Sequence, residues 1–173
     1  MNYPTKQIAI SLSFLAVSVL IASCGENQQN VQTSKLEGQA VLEEANIRII
    51  KSFYEYMDRQ DSTSLEKLIS KNFALFFGSS EEPVRYDQIK PLIKEVYLAF
   101  PDYKHEIEII FASGDYVTVK VDHIGTHTST YMGVAPTGKR VSYKSIFIFT
   151  LEGGLITDVH GMEDDLAALI KRK

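Results

Sequence analysis

After Pro101 the hydrophobic period of the chain becomes two and stays there, which restricts the fold more than any other feature of the sequence. In YKHEIEIIFASGD the alternation centres on Ile107 and Ile109, and in YVTVKVDHIGTHT on Val117, Val119 and Val121. KRVSYKSIFIFTLEGG sets Ile146 and Ile148 on one face and Phe147 and Phe149 on the other, so this strand is expected to be covered on both sides. Gly153-Gly154 reads as a hairpin turn into LITDVHGM. Four long antiparallel strands are therefore expected in the second half of the chain.

The first half has a different period. In EEANIRIIKSFYEYMDRQD, Ile47, Ile50, Tyr54 and Met57 recur at three and four, giving an amphipathic helix that ends near Asp61. Thr63 and Glu66 have capping-box spacing, and Leu65, Leu68 and Ile69 form the apolar edge of a short second helix. FALFFGSS is a short apolar run suited to a strand. YDQIKPLIKEVYLAF returns to helical spacing, with Asp87 as the expected cap and Pro91 assigned to the first turn. A terminal helix follows VHGMEDD. Helices, then strands, then a helix make an α+β fold, with helices packed on one face of a strongly curved sheet of about four to six strands.

The N-terminal stretch belongs to no fold. Lys6 precedes an apolar run from Ile8 to Ile21, short for a membrane span, and small residues lead to the single cysteine, Cys24. Residues 1–23 read as a secretory signal, and Ile21-Ala22-Ser23-Cys24 resembles a bacterial lipobox, with Cys24 as the lipidated mature N-terminus. One cysteine cannot form an internal disulfide, so an acyl acceptor is its economical use in an exported chain. Residues 24–39 are polar and without apolar period, which reads as a disordered tether reaching roughly 20 Å. Residues 40–173 then form one domain. Gly25, after the cysteine, is not the aspartate that marks inner-membrane retention in some bacteria, so the outer membrane is the expected destination. The net charge is −4 and the basic residues are scattered, so no nucleic-acid backbone is expected to dock.

GTHTSTYMGVAPTGKRV, at residues 125–141, followed by a strand, a turn and HGMEDDLAAL, resembles the SnoaL-like polyketide cyclases of the nuclear transport factor two-like superfamily. Those proteins typically read GTHTG, a G-x-x-P-T-G segment and a W-G-x-x-D-x-L ending. AFPD at 99–102 and the YEYMDRQDSTSLEKLIS helix pair match as well, so the resemblance spans residues 43–170. It implies a cone: a curved antiparallel sheet, a long helix and a pocket open at one end. It also implies that Asp164, at the position of the cyclases' aspartate, is the acid/base group of an intramolecular aldol closure, with no cofactor and no metal. His160 stands where the family more often has tryptophan, and at the partner positions on the adjacent strand the chain offers only Thr150.

The chemistry can be argued from the residues. Aldol closure removes a proton beside a carbonyl and protonates the new alkoxide, and one sheltered carboxylate can serve both steps if a donor stabilises the enolate. In an extended segment Asp158, His160, Met162 and Asp164 share one side, so His160 is expected beside Asp164 in the cone. The hydroxyl of Tyr54, on the first helix, is a further donor. Tyr97, Phe147, Phe149, Thr150 and Met162 are the expected pocket lining, suited to a flat apolar or carbonyl-containing ligand. The plain alternative is that Asp164 and Asp165 only cap the last helix, which ends in Lys171-Arg172-Lys173 as the helix dipole favours, with Glu163 and Asp165 solvated. His123 and His127 are four apart, about 13 Å along a strand, too far to share a metal. Three classes follow: an acid/base enzyme, a lipid-anchored module holding an apolar ligand, or a domain whose sheet face mediates association, a homodimer included.

Overall fold

The structure is a computed structural model that describes the backbone of residues 11–171 and the side chains of residues 30–171. The chain divides into two units, Met1–Val41 and Leu42–Lys173. Helix α1 is Ser11–Asp58. It is followed by α2 (Ser62–Glu66), β1 (Ile69–Phe77), α3 (Tyr86–Ala99), β2 (Lys104–Ser113), β3 (Tyr116–Thr126), β4 (Arg140–Glu152), β5 (Leu155–Glu163) and α4 (Leu166–Lys171).

In the first unit the expected tether is helical backbone rather than coil, and residues 30–41 are exposed throughout. Its Gln, Lys, Glu, Leu and Ala residues are strong helix formers, and no proline interrupts them. Residues 1–10 of the signal segment, and the side chains of residues 11–29 with that of Cys24 among them, lie outside the residues described.

In the second unit five strands form one sheet in the order β1-β5-β4-β3-β2, with β2 to β5 antiparallel and β1 parallel to β5. The α+β architecture is the expected one, a curved and unclosed sheet packed against the helix that carries Ile50 and Tyr54. Val117, Val119 and Val121 are each 0 % exposed and form the inner face of β3. Burial at that level contributes about 1.5–3 kcal/mol per valine. The φ angles of Gly153 (58°) and Gly154 (80°) build the hairpin between β4 and β5 as expected.

Several local expectations change. The register slips between Ile107 and Ile109, so Ile107 and Ile110 pack on the core while Ile109 is half exposed. Such a bulge bends the strand and reverses the alternation. β4 is not covered on both sides: Phe149 is buried, but Ile146 and Ile148 lie on the exposed outer face. The short helix is capped by Asp61, whose Oδ1 accepts from Ser64 N at 3.0 Å, and not by Thr63. Leu68 precedes β1 and Ile69 opens it. Arg85, not Asp87, precedes α3, and its N–H donates to Gln88 Oε1 at 2.7 Å. Pro91 is inside that helix, past the first turn.

The motif at residues 125–139 has a structural task. His127 N donates to Lys139 O, and His127 Nδ1 accepts from Thr137 N at 3.3 Å. The His127 ring stacks on Phe100, and Thr128 N donates to Ala99 O. Asp102 accepts from both Thr126 N (2.6 Å) and Thr126 Oγ1 (2.8 Å), bonds that hold its carboxyl below the usual range. AFPD and GTHT are thus clasped to each other. Gly125 allows this approach, since a Cβ there would lie 3.0 Å from the Tyr103 ring.

Candidate functional site

The inner face of the sheet, α3 and the last turns of the helix before Asp58 enclose an apolar cavity of about 650 Å³. Its walls are built by the periods already described: Tyr54 and Met57 from α1, Ile89, Ile93 and Tyr97 from α3, Phe147 and Phe149 from β4. Gly161 on β5 lies opposite Phe147 and leaves room for its ring, because a Cβ there would fall 2.2 Å from Phe147 Cε1.

Two polar groups interrupt the apolar wall. The first gathers at β2, β3 and β4. Tyr103 Oη is hydrogen-bonded to Tyr143 Oη and lies 3.1 Å from His123 Nδ1, and His123 Nε2 lies 2.6 Å from Ser145 Oγ. Burial, then the charge of His105, pushes His123 down to about 3, so it is neutral at ordinary pH. With a neutral imidazole the chain of bonds from Tyr143 to Ser145 can run in either direction. Beside it, His105 Nδ1 is 2.6 Å from Asp58 Oδ1, and Asp58 also accepts from the backbone N–H of His105 at 3.1 Å. Burial raises Tyr103, and burial followed by the charge of Asp58 raises Tyr97, so both remain neutral hydroxyls.

The second group lies where β5 meets α4. Glu163, Asp164 and Asp165 all line the cavity. Asp165 is the cap: its Oδ1 accepts from Ala168 N at 3.0 Å. Asp164 is therefore free of the capping role, and it is exposed at the cavity wall. Glu163 is exposed, as expected, and partial loss of hydration beside the wall raises its carboxyl above the ordinary range. Among the described residues no Lys or Arg lines the cavity.

Tyr54 stands between these groups. It is 5 % exposed, its hydroxyl has no hydrogen-bond partner among the described residues, and its ring lies 5.2 Å from that of His105. Burial, then the charge of Glu163, raises it, so it remains a neutral donor.

The cavity includes six of the eight residues named from the sequence for the active site and its lining: Asp164, Tyr54, Tyr97, Phe147, Phe149 and Met162. Met162 is at the rim and 73 % exposed. His160 and Thr150 are not part of it. His160 is exposed and stacks on Phe76 at 4.6 Å, on the outer face of the sheet, and Thr150 pairs with Asp158 and Tyr116 on that same side. The parity of β5 is set by Val159 and Gly161, which must face inward to seat the core and the Phe147 ring. That places His160 outside and Glu163 inside. Sequence reasoning missed Asp58, His105, Tyr103 and Ser145, and took Tyr143 only as one of the aromatics that are core or cone lining. His123 was considered only as a metal ligand, although the alternation through Val117, Val119 and Val121 continues to it.

An apolar cavity in a cone, interrupted by hydrogen-bonded acids, phenols and imidazoles, defines a small-ligand site of the kind built on a curved sheet and a long helix. The SnoaL-like polyketide cyclase family matches residues 47–171, and the chain belongs to that family. Among solved structures it is similar to AclR from Streptomyces galilaeus, with 22 % identity, 73 % of this chain and 93 % of that one covered and a TM-score of 0.66. IdmH from Streptomyces antibioticus aligns at 22 % identity, covering 72 % of this chain and 94 % of that one, with a TM-score of 0.63. A SnoaL-like polyketide cyclase from Agrobacterium tumefaciens aligns at 18 %, over 69 % and 91 %, with a TM-score of 0.58. No curated protein sequence is matched.

Proposed function

We propose that the protein is an acid/base enzyme of the cyclase or isomerase type that binds a small, flat, uncharged carbonyl compound in the cone. The observation that carries this reading is the Tyr54 hydroxyl, buried without a partner among the described residues in the wall of an apolar cavity. An unsatisfied buried hydroxyl costs about 1–3 kcal/mol unless something accepts its hydrogen bond, and a substrate carbonyl oxygen is such an acceptor. Asp164, the residue matching the family's aspartate and not used in capping, takes the proton from the carbon beside that carbonyl. The electron pair moves to the oxygen, where Tyr54 donates. Three carboxylates on the wall, with no Lys or Arg among the described residues that line it, favour a ketone or ester over a free acid.

The test is exchange of α-protons. In deuterated water, wild-type protein is expected to speed deuterium uptake into 2-tetralone, followed by NMR, and Asp164→Asn to lose that acceleration by about 10²-fold or more while melting like the wild type. Equal exchange in the variant would remove Asp164 from the chemistry. The exposure of Asp164 favours a second reading, a module that holds its ligand unchanged; 2-tetralone would then bind with no exchange.

The same proposal includes export and a lipid anchor at Cys24, with the outer membrane as destination, supported by the lipobox-like sequence alone. It includes a homodimer through the outer sheet face, supported by the exposure of Phe111 (54 %), Ile146 (52 %) and Ile148 (43 %).

A further inference from the structure

We infer that His105, positioned by Asp58, is a second acid–base centre of this cavity and acts on the oxygen side of the reaction. The inference rests on the acid/base reading above and extends it to a residue pair outside the sequence motifs.

The geometry is that of a held imidazole. Asp58 is the last residue of α1, and its carboxylate accepts from both the backbone N–H and Nδ1 of His105 at the start of β2. A helix C-terminus favours a basic residue, and the last turn of α1 has none. A carboxylate there runs against the dipole, and such local conflicts gather at functional sites. The two bonds fix the ring and its tautomer, so the lone pair or proton available for exchange is on Nε2. The ring lines the cavity, and its side chain is only 4 % exposed. The groups packed around it are Asp58, Tyr54, Tyr103 and His123. Tyr54 and Tyr103 stay neutral because burial raises them, and burial keeps His123 neutral.

The step balances. Asp164 takes a proton from the carbon beside the carbonyl, and the freed pair becomes the carbon–carbon double bond of the enol. The π pair of that same carbonyl goes to its oxygen, which takes the proton on His105 Nε2 and keeps a hydrogen bond from Tyr54. His105 is left neutral and regains a proton from the carboxylic acid at Asp164 through water. Asp58 never touches the substrate; it is a positioning residue.

The experiment uses the full chain carrying Cys24→Ser and the flat α-halo ketone 2-bromoacetophenone. Nε2 attacks the CH₂, the C–N bond forms, the C–Br bond breaks and bromide leaves. Peptide mapping is expected to find the adduct on His105, and Asp58→Asn to slow its formation about tenfold or more by freeing the ring. A folded protein with no adduct at His105, or one labelled as fast without the Asp58 carboxylate, overturns the inference. With 2-tetralone, His105→Ala is expected to slow exchange about 10²-fold, with added imidazole restoring part of the rate. Exchange unchanged in His105→Ala sinks this inference and leaves the acid/base reading standing. An adduct on His105 without any exchange by the wild type sinks that reading and leaves the reactive pair.

Discussion

At the scale of single residues, the cavity depends on a side chain that is missing. Gly161 faces Phe147 across the β4–β5 pair, and an added methyl would overlap the ring. Phe147 would have to turn, into the cavity or against Phe149, whose ring lies 6.2 Å away. Gly161→Ala is expected to cost about 1–3 kcal/mol in urea unfolding and to shrink the space for 2-tetralone. A variant as stable as the wild type would show that the ring has somewhere else to go. The sequence showed HGM without revealing which of His160 and Gly161 faced in. That choice is made by Phe147, a residue on another strand.

Among the elements, β3 and β4 are joined by more than their backbone ladder. His123 bridges Tyr103, just before β2, to Ser145 on β4 and is held neutral at about 3 by burial. In the unfolded chain it titrates near 6.5. Its folded value is the lower, so unfolded protein binds the extra proton between those limits, and stability falls as pH drops from about 6.5 towards 3. About 2 kcal/mol is expected to disappear between pH 7 and pH 5, measured by urea unfolding, with a much smaller loss in His123→Asn. A flat profile for the wild type would contradict the buried neutral imidazole. Element identity was legible because long period-two runs such as Val117 to Val121 leave few alternatives. The bulge after Ile107 was not, since EIEII alternates well in either register until β3 fixes the pairing. His105 escaped notice because its partner, Asp58, is on a helix and only the fold brings the two together.

For the whole molecule, the outer sheet face and the N-terminal cysteine make separable predictions. Cys24→Ser is expected to move the protein from the membrane to the soluble fraction, and sedimentation of that released form to give the mass of a dimer. Adding Ile148→Lys is expected to leave a monomer with its cavity intact, because Ile148 lies on the face away from it. Persistent membrane partition of the Cys24→Ser variant would refute the anchor, and a monomer before the second change would refute the pairing. The fold family was legible from GTHT, PTG and AFPD because these segments clasp one another, which fixes their spacing.

The parallel pairing of β1 with β5 also orders events in time. Leu75 is ladder partner to Val159, and β1 has no other strand beside it in the sheet. A chain emerging from the ribosome therefore carries an early strand without its ladder partner until β5 has appeared. The hairpins of β2 to β5 close locally, but the wall formed by Phe73 and Leu75 waits for β5.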